Sequence, residues 1–221
     1  MFKHKLGLMK IRYLLIAFLL LSFSTSFAQF KIGAIGGLNM GTFKGDQLDE
    51  GSYNKLIGTN WSIMFDAKLS DQIVLSLQPG LSKKGTKITY SVKGELEPVD
   101  SIAIKIDYFS IPLMLKISSK NERFYAIGGL EAGIPLSADA EFLSKTDDVR
   151  DVKKHLSDVN IIMHFGAGYR IPVGKPTLFL EARYLQGLNN AVPIENPEYN
   201  FFPRVRTSDV QLLFGIEFPL F

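Results

Sequence analysis

Residues Val159–Ile171 read VNIIMHFGAGYRI. Val159, Ile161, Met163, Phe165, Ala167, Tyr169 and Ile171 share one face, and Asn160, His164, Gly166, Gly168 and Arg170 share the other, with Ile162 its one apolar member. A repeat of two places successive side chains on opposite faces of a β-strand, so this stretch is a strand with one apolar side. The pattern recurs. Leu178, Leu180, Ala182 and Tyr184 alternate with Thr177, Phe179, Glu181 and Arg183. Val210, Leu212, Phe214, Ile216 and Phe218 alternate with Gln211, Leu213, Gly215 and Glu217. Trp61, Ile63, Phe65, Ala67 and Leu69 alternate with Asn60, Ser62, Met64, Asp66 and Lys68.

Extended along the chain, this pattern gives eight strands, near Lys31–Phe43, Ile57–Leu69, Gln72–Val92, Ile102–Ile117, Arg123–Ala138, Val159–Val173, Thr177–Leu188 and Thr207–Leu220. The third and fourth change apolar phase near Gly85 and near Asp107–Tyr108, which predicts β-bulges in those two strands. Ser70-Asp71, Ser118–Glu122 and Gly174–Pro176 are tight turns, whereas Lys44–Leu56, Lys93–Ser101, Asp139–Asp158 and Asn189–Arg206 are long polar connections. Short and long connections in alternation are the pattern of an all-β, eight-stranded antiparallel up-and-down transmembrane β-barrel. Each strand reaches the roughly 9–11 residues that cross a bilayer at a tilt.

A soluble lipocalin-like barrel alternates just as cleanly, with its apolar face inside. Three features favour lipid outside. Charged positions are few and neighbour glycines, as in Gly166-x-Gly168-x-Arg170 and Gly215-x-Glu217, which suits a crowded interior. Aromatics mark both ends of the apolar face: Phe124, Tyr169 and Phe218 at the turn end, Trp61 and Tyr184 at the loop end. Such girdles form because amphipathic rings favour the headgroup level. The chain also finishes in an aromatic residue, Phe221, directly after the last strand.

Composition agrees. The chain has 221 residues, and an apolar content of 46% excludes a disordered chain while 21% charged residues excludes a multi-helix membrane protein. The absence of cysteine removes disulfides, thiolate metal sites, thiol chemistry and a lipoprotein anchor. The formal charge of +3 comes from Lys3, Lys5, Lys10 and Arg12, because residues 1–28 hold no acid and the remainder is balanced to within one charge. No basic stripe suited to nucleic acid is present. Met1–Arg12 is a basic segment, Tyr13–Phe23 an apolar core of 11 residues, and Ser24–Ala28 ends in small residues. This three-part layout predicts a signal peptide over 1–28, cleaved between Ala28 and Gln29, with a barrel domain over 29–221.

On this phasing the inward set is Asp66, Lys68, Lys116, Glu131, His164, Arg170, Glu181, Arg183 and Glu217. Four acids and four bases, His164 aside, predict mutually neutralising ion pairs that fill the lumen. Eight strands leave no diffusion pore, which needs about 16. Asp147, Asp148, Asp151, His155 and Asp158 form an enzyme-like cluster in the Asp139–Asp158 connection, but Lys145, Arg150, Lys153 and Lys154 intersperse it as in a solvated charged loop. The Gly36-Gly37 and Gly128-Gly129 pairs lack the strand–loop–helix context of a phosphate loop and are expected to relieve strain in a tight barrel. The sequence designates no catalytic, cofactor-binding or metal-binding residue.

Several stretches resemble the PorT-like outer-membrane β-barrel family of Gram-negative bacteria. They are Lys31–Phe43 (KIGAIGGLNMGTF), Gln78–Gly85 (QPGLSKKG), Tyr108–Lys116 (YFSIPLMLK), Phe124–Ala138 (FYAIGGLEAGIPLSA) and Leu178–Asn189 (LFLEARYLQGLN), in order over the mature chain. Ser110 stands where many relatives carry Glu before the Ile-Pro, and the last strand's phase puts Leu220 rather than Phe221 towards lipid. The resemblance implies an eight-stranded barrel of the cell outer membrane without an assigned enzymatic activity; the name-giving member is associated with a secretion and gliding apparatus. The expected partners are membrane lipid and lipopolysaccharide, together with envelope or secretion-machinery proteins. Two alternatives remain at this point: an outer-membrane enzyme, protease or acyltransferase-like, using the Asp139–Asp158 loop, and a secreted soluble barrel that binds an apolar ligand.

Overall fold

A computed structural model describes residues 30–46, 51–90, 100–142, 149–191 and 204–220. The predicted leader, residues 1–28, and the terminal Phe221 lie outside these residues. The described strands are β1 (Phe30–Gly45), β2 (Gly51–Lys68), β3 (Ile73–Leu77), β4 (Gly80–Tyr90), β5 (Asp100–Ser118), β6 (Phe124–Phe142), β7 (Val149–Asp151), β8 (Asn160–Pro172), β9 (Thr177–Gly187) and β10 (Val205–Pro219). Strands β3 and β4 lie end to end between β2 and β5, so they form one stave interrupted at Gln78-Pro79. Pro79 has no N–H to give to a ladder, and its carbonyl instead accepts from Ile63 N–H at 3.0 Å. Every pairing is antiparallel, and β5–β6 and β10–β1 close the sheet into a ring of eight staves. The short β7 pairs with the end of β6, at Asp139–Glu141.

The facing of the strands matches the predicted apolar phases of β2, β8, β9 and β10. Trp61 is 67% exposed and Phe165 53% exposed, while His164 and Glu131 are each 1% exposed. A soluble barrel is therefore overturned: the large apolar side chains cover the outside. The outer face has a height that can be followed rung by rung along β1 and β10. Paired residues run Ile32/Phe218, Ala34/Ile216, Gly36/Phe214, Leu38/Leu212 and Met40/Val210, and then turn polar at Thr42/Ser208 and Lys44/Arg206. Nine residues from Ile32 to Met40 suffice to cross a bilayer as a tilted strand. At the turn end Phe124 and Tyr169 pack with centroids 4.7 Å apart and ring planes tilted by 53°.

The predicted phase changes require correction. In β3–β4 the even-numbered residues Ser76, Gln78, Ser82, Lys84, Thr86 and Ile88 all face in, with no reversal at Gly85. In β5 Lys116, Met114, Ser110, Tyr108 and Ile106 likewise all face in. These strands keep their facing, and the chemistry of the faces exchanges instead. Below Tyr108 the outside meets lipid, so polar groups must be inside. Above it the outside meets water, so apolar side chains bury inward and Lys105 and Asp107 point out. The extra residues lie on the neighbouring strands at this same height. Register shifts on β6, where Asp107 pairs with Ser137 and Tyr108 with Pro135, and on β2 between Lys55 and Asn60. Pro135, lacking a donor, sits at the β6 bulge.

Two long connections are also shorter than predicted, because β1 continues to Gly45 and β2 begins at Gly51, and because β6 continues to Phe142. These extensions enclose an apolar cluster of Phe43, Ile106, Tyr108, Ala138, Ala191 and Val205, against which Tyr53, Ile104, Val152 and Leu156 pack. Val152 and Leu156 belong to the segment after β7, which is tied down at Val152 N–H to Ala138 O (2.9 Å) and Ser157 N–H to Ala191 O (2.9 Å). The outer end of the barrel is thus filled by an apolar plug.

Candidate functional site

Beneath that plug the lumen is occupied by charge. All nine predicted inward residues face in, and Lys68 alone stays substantially solvated, at the turn end, where it pairs with Glu122 (3.4 Å) and Asp71 (3.7 Å). Lys116, from β5, lies 2.9 Å from Asp66 of β2 and 3.9 Å from Glu181 of β9. Its ammonium also stands over the rings of Phe179 (5.4 Å) and Tyr125 (5.7 Å), a setting in which ring quadrupoles add to the attraction. Glu181 accepts from Tyr125 Oη at 2.6 Å and is held by the Arg183 guanidinium, whose Nε donates at 2.6 Å. Arg183 reaches across the lumen to Gln78 Oε1 at 2.8 Å, and Gln78 in turn donates to Ser76 Oγ at 2.8 Å.

A second group lies nearer the plug. Glu131 receives Lys84 Nζ at 2.7 Å and Ser110 Oγ at 2.9 Å, and its other oxygen lies 2.9 Å from His164 Nε2. Ser110 supplies a neutral donor to the carboxylate. A third group closes the turn end. Arg170 donates to Ser118 Oγ (2.8 Å), lies 3.4 Å from Glu217 and covers the Tyr125 ring at 4.3 Å, while Lys31 meets Glu217 at 2.8 Å. The rings that bridge these groups rest on glycines. A Cβ on Gly168 would come within 2.7 Å of Tyr125 Cε1, and one on Gly215 within 2.7 Å of Phe179 Cε1. These glycines provide space for a ring from another strand. Their backbone angles are ordinary, since among the described residues only Gly45, Gly174 and Glu122 have positive φ.

Two charged members of the interior were missing from the predicted set, Lys84 and Asp209, at 3% and 2% exposure. Lys84 was obscured by the expected phase change at Gly85; continuing the even-numbered face from Ser82 would have placed it inside. Asp209 shares the face of Gln211 and Leu213, so the alternation of the last strand already carried it. The layer around it is rich in polar atoms without a protein partner, including Asn39 Oδ1, Ser82 Oγ, Asn160 Oδ1, Asp209 Oδ2 and Gln211 Nε2 among the described residues.

The predicted rim cluster is only partly within the described residues, because Asp147 and Asp148 fall outside them. Asp151 Oδ1 accepts the backbone N–H of Lys153 at 2.8 Å, at the start of a short 3-10 turn over Lys153–His155. Asp158 is exposed. Among the described residues no group of three or more His, Cys, Asp or Glu side chains is arranged to hold a metal ion.

Solved structures with a similar chain trace are outer-membrane or surface proteins. Neisserial surface protein A aligns with a TM-score of 0.47 at 11% identity, over 86% of this chain and 97% of that one. The attachment invasion locus protein Ail of Yersinia pestis gives 0.45 at 15% identity, over 86% and 99%. OprG of Pseudomonas aeruginosa gives 0.39 at 13% identity, over 87% and 97%. A search of curated proteins finds no match. The family described as outer membrane protein beta-barrel domain matches residues 25–192. The chain belongs to this outer membrane β-barrel family, and its place is the cell outer membrane.

Proposed function

We propose that the protein is a non-enzymatic, non-conducting scaffold of the outer membrane, with an envelope structural, adhesion or secretion-accessory role. The single observation that carries this reading is the sealed interior. Lys84–Glu131, Lys116–Asp66 and Arg183–Glu181 are buried ion pairs, and they lie beneath the apolar plug around Ile106 and Tyr108. Among the described residues, an interior so filled presents neither a substrate cleft nor an aqueous path, which leaves the outer surface and the long connections as the working parts. The resemblance to the PorT-like family supports the secretion-accessory form of the role. Residues 1–28 direct export and are then removed, giving a mature chain that starts at Gln29. Membrane lipid surrounds the barrel, and envelope or secretion proteins engage its outer end.

The test is made on the mature protein in planar lipid bilayers and in a deletion strain. The scaffold gives no steady conductance. Excision of residues 143–148 leaves a heat-modifiable barrel but removes its ability to complement the strain's envelope phenotype. Steady ion current through the intact protein would refute the reading, as would a His155→Ala protein that folds normally yet loses all function.

A further inference from the structure

The outward rungs of β1 and β10 end on two cations placed directly opposite one another, Lys44 and Arg206. Like charges facing across a ladder destabilise it. Both side chains are exposed, and among the described residues neither has an ion-pair partner. The nearest acid along the chain is Asp46, whose Oδ2 accepts the backbone N–H of Arg204 at 2.9 Å. Lys44 is instead directed down the outer wall, 3.4 Å from Tyr184 Oη and 5.6 Å from the centre of that ring. Tyr184 lies beside Val210 at the loop end of the apolar band, whereas Trp61, predicted for the same girdle, pairs with Gly36 at mid-height; the Tyr184 hydroxyl lies 3.2 Å from Ser208 Oγ, one outward rung below Arg206. The next rung down, Met40/Val210, is apolar. The cation pair therefore sits at the height where acyl chains give way to headgroups, on the side of the long connections. Two outward lysines on the opposite wall differ, since Lys83 and Lys105 are matched by Asp107 (3.7 Å) and Glu141 (2.6 Å).

We propose that Lys44 and Arg206, with Tyr184 beneath them, form a binding site for a phosphate group of lipopolysaccharide in the outer leaflet. A phosphate between the two cations converts a repulsive rung into two charge-assisted contacts, and the lipid's acyl chains continue down the apolar rungs below. The site rests on the outer-membrane location of the barrel and is independent of the scaffold role.

The experiment uses the full mature chain folded in neutral detergent, with fluorescently labelled rough lipopolysaccharide as the probe. Lys44→Gln combined with Arg206→Gln is expected to weaken binding about thirtyfold, from two charges near an anionic headgroup. Lys105→Gln, which removes an already paired cation, should leave binding unchanged. Lipopolysaccharide stripped of phosphate should bind the native chain no better than it binds the double variant. Without lipid, the double variant should unfold at the same temperature as the native chain or higher, because a like-charge contact has been removed; this separates lost binding from misfolding. Equal binding by native chain and double variant would overturn the site, as would a lower unfolding temperature of the double variant in detergent. Equally tight binding of phosphatidylglycerol vesicles would overturn the assignment to lipopolysaccharide.

Discussion

Glu131 shows how much of this barrel rests on single side chains. It is buried with Lys84 at 2.7 Å, Ser110 at 2.9 Å and His164 Nε2 at 2.9 Å, each from a different stave. Removing the carboxylate leaves the Lys84 ammonium uncompensated, so Glu131→Gln should cost about 3–5 kcal/mol of stability. Replacing the pair together, Lys84→Met with Glu131→Leu, should cost less than Glu131→Gln alone, because neither partner is left buried without the other. Urea unfolding of the detergent-solubilised barrel measures both, and a double variant less stable than the single one would contradict the pairing. The opposite face answers to lipid. Phe165 is 53% exposed near the middle of β8, and Phe165→Arg should cost about 2–4 kcal/mol when folding is measured in bilayers. A neutral outcome there would mean that Phe165 does not face the bilayer.

At the scale of elements, the outer halves of β5 and β6 behave as a soluble barrel stacked on a membrane barrel. Ile106 is 1% exposed within the plug, and Ile106→Ala should destabilise by about 2–5 kcal/mol, as for other large-to-small changes in a packed core. Leu115→Ala, lower on the same strand but facing lipid, should cost less, because no cavity forms in a protein interior. Near-equal losses at the two positions would argue against a plug. The exchange of faces also explains what the sequence could and could not reveal. Alternation in β8, β9 and β10 was legible because those strands lie mostly within lipid, where the apolar face and the outer face coincide. In β4 and β5 the apolar residues cross from outside to inside near Tyr108 while the strand continues unbroken. Sequence alternation follows hydrophobicity, and an unbroken strand passing from lipid to water has the same signature as a bulge. The real bulges, at Pro135-Leu136 in β6 and between Lys55 and Asn60 in β2, sit where their own strands pass the same boundary. Lys84 was lost from the predicted interior for that reason. The pairing of Lys116 with Asp66, or of Arg183 with Gln78, depends on reach across the lumen, which no local pattern encodes.

For the whole molecule, the layers follow one another along the barrel axis. Solvated pairs of Lys68 stand at the turn end, a buried network centred on Lys116 and Glu181 follows, then the Glu131 group, and finally the apolar plug. Outside, lipid-facing rungs give way to Thr42/Ser208 and then to Lys44/Arg206. Inside and outside change character at nearly the same height, while β5 keeps the same residues facing in. Because the native chain has no cysteine, single cysteines can be introduced and labelled without background. The most direct test is a nitroxide scan of β5 from Lys105 to Ile117 in bilayers, with oxygen reporting lipid exposure and a water-soluble nickel complex reporting aqueous exposure. The account predicts that odd-numbered sites are accessible throughout, to oxygen at Phe109, Leu113, Leu115 and Ile117 and to nickel at Lys105 and Asp107. Even-numbered sites, including Ile106 and Tyr108, should be shielded from both. A swap of parity at Tyr108, with Ile106 exposed and Lys105 shielded, would contradict it.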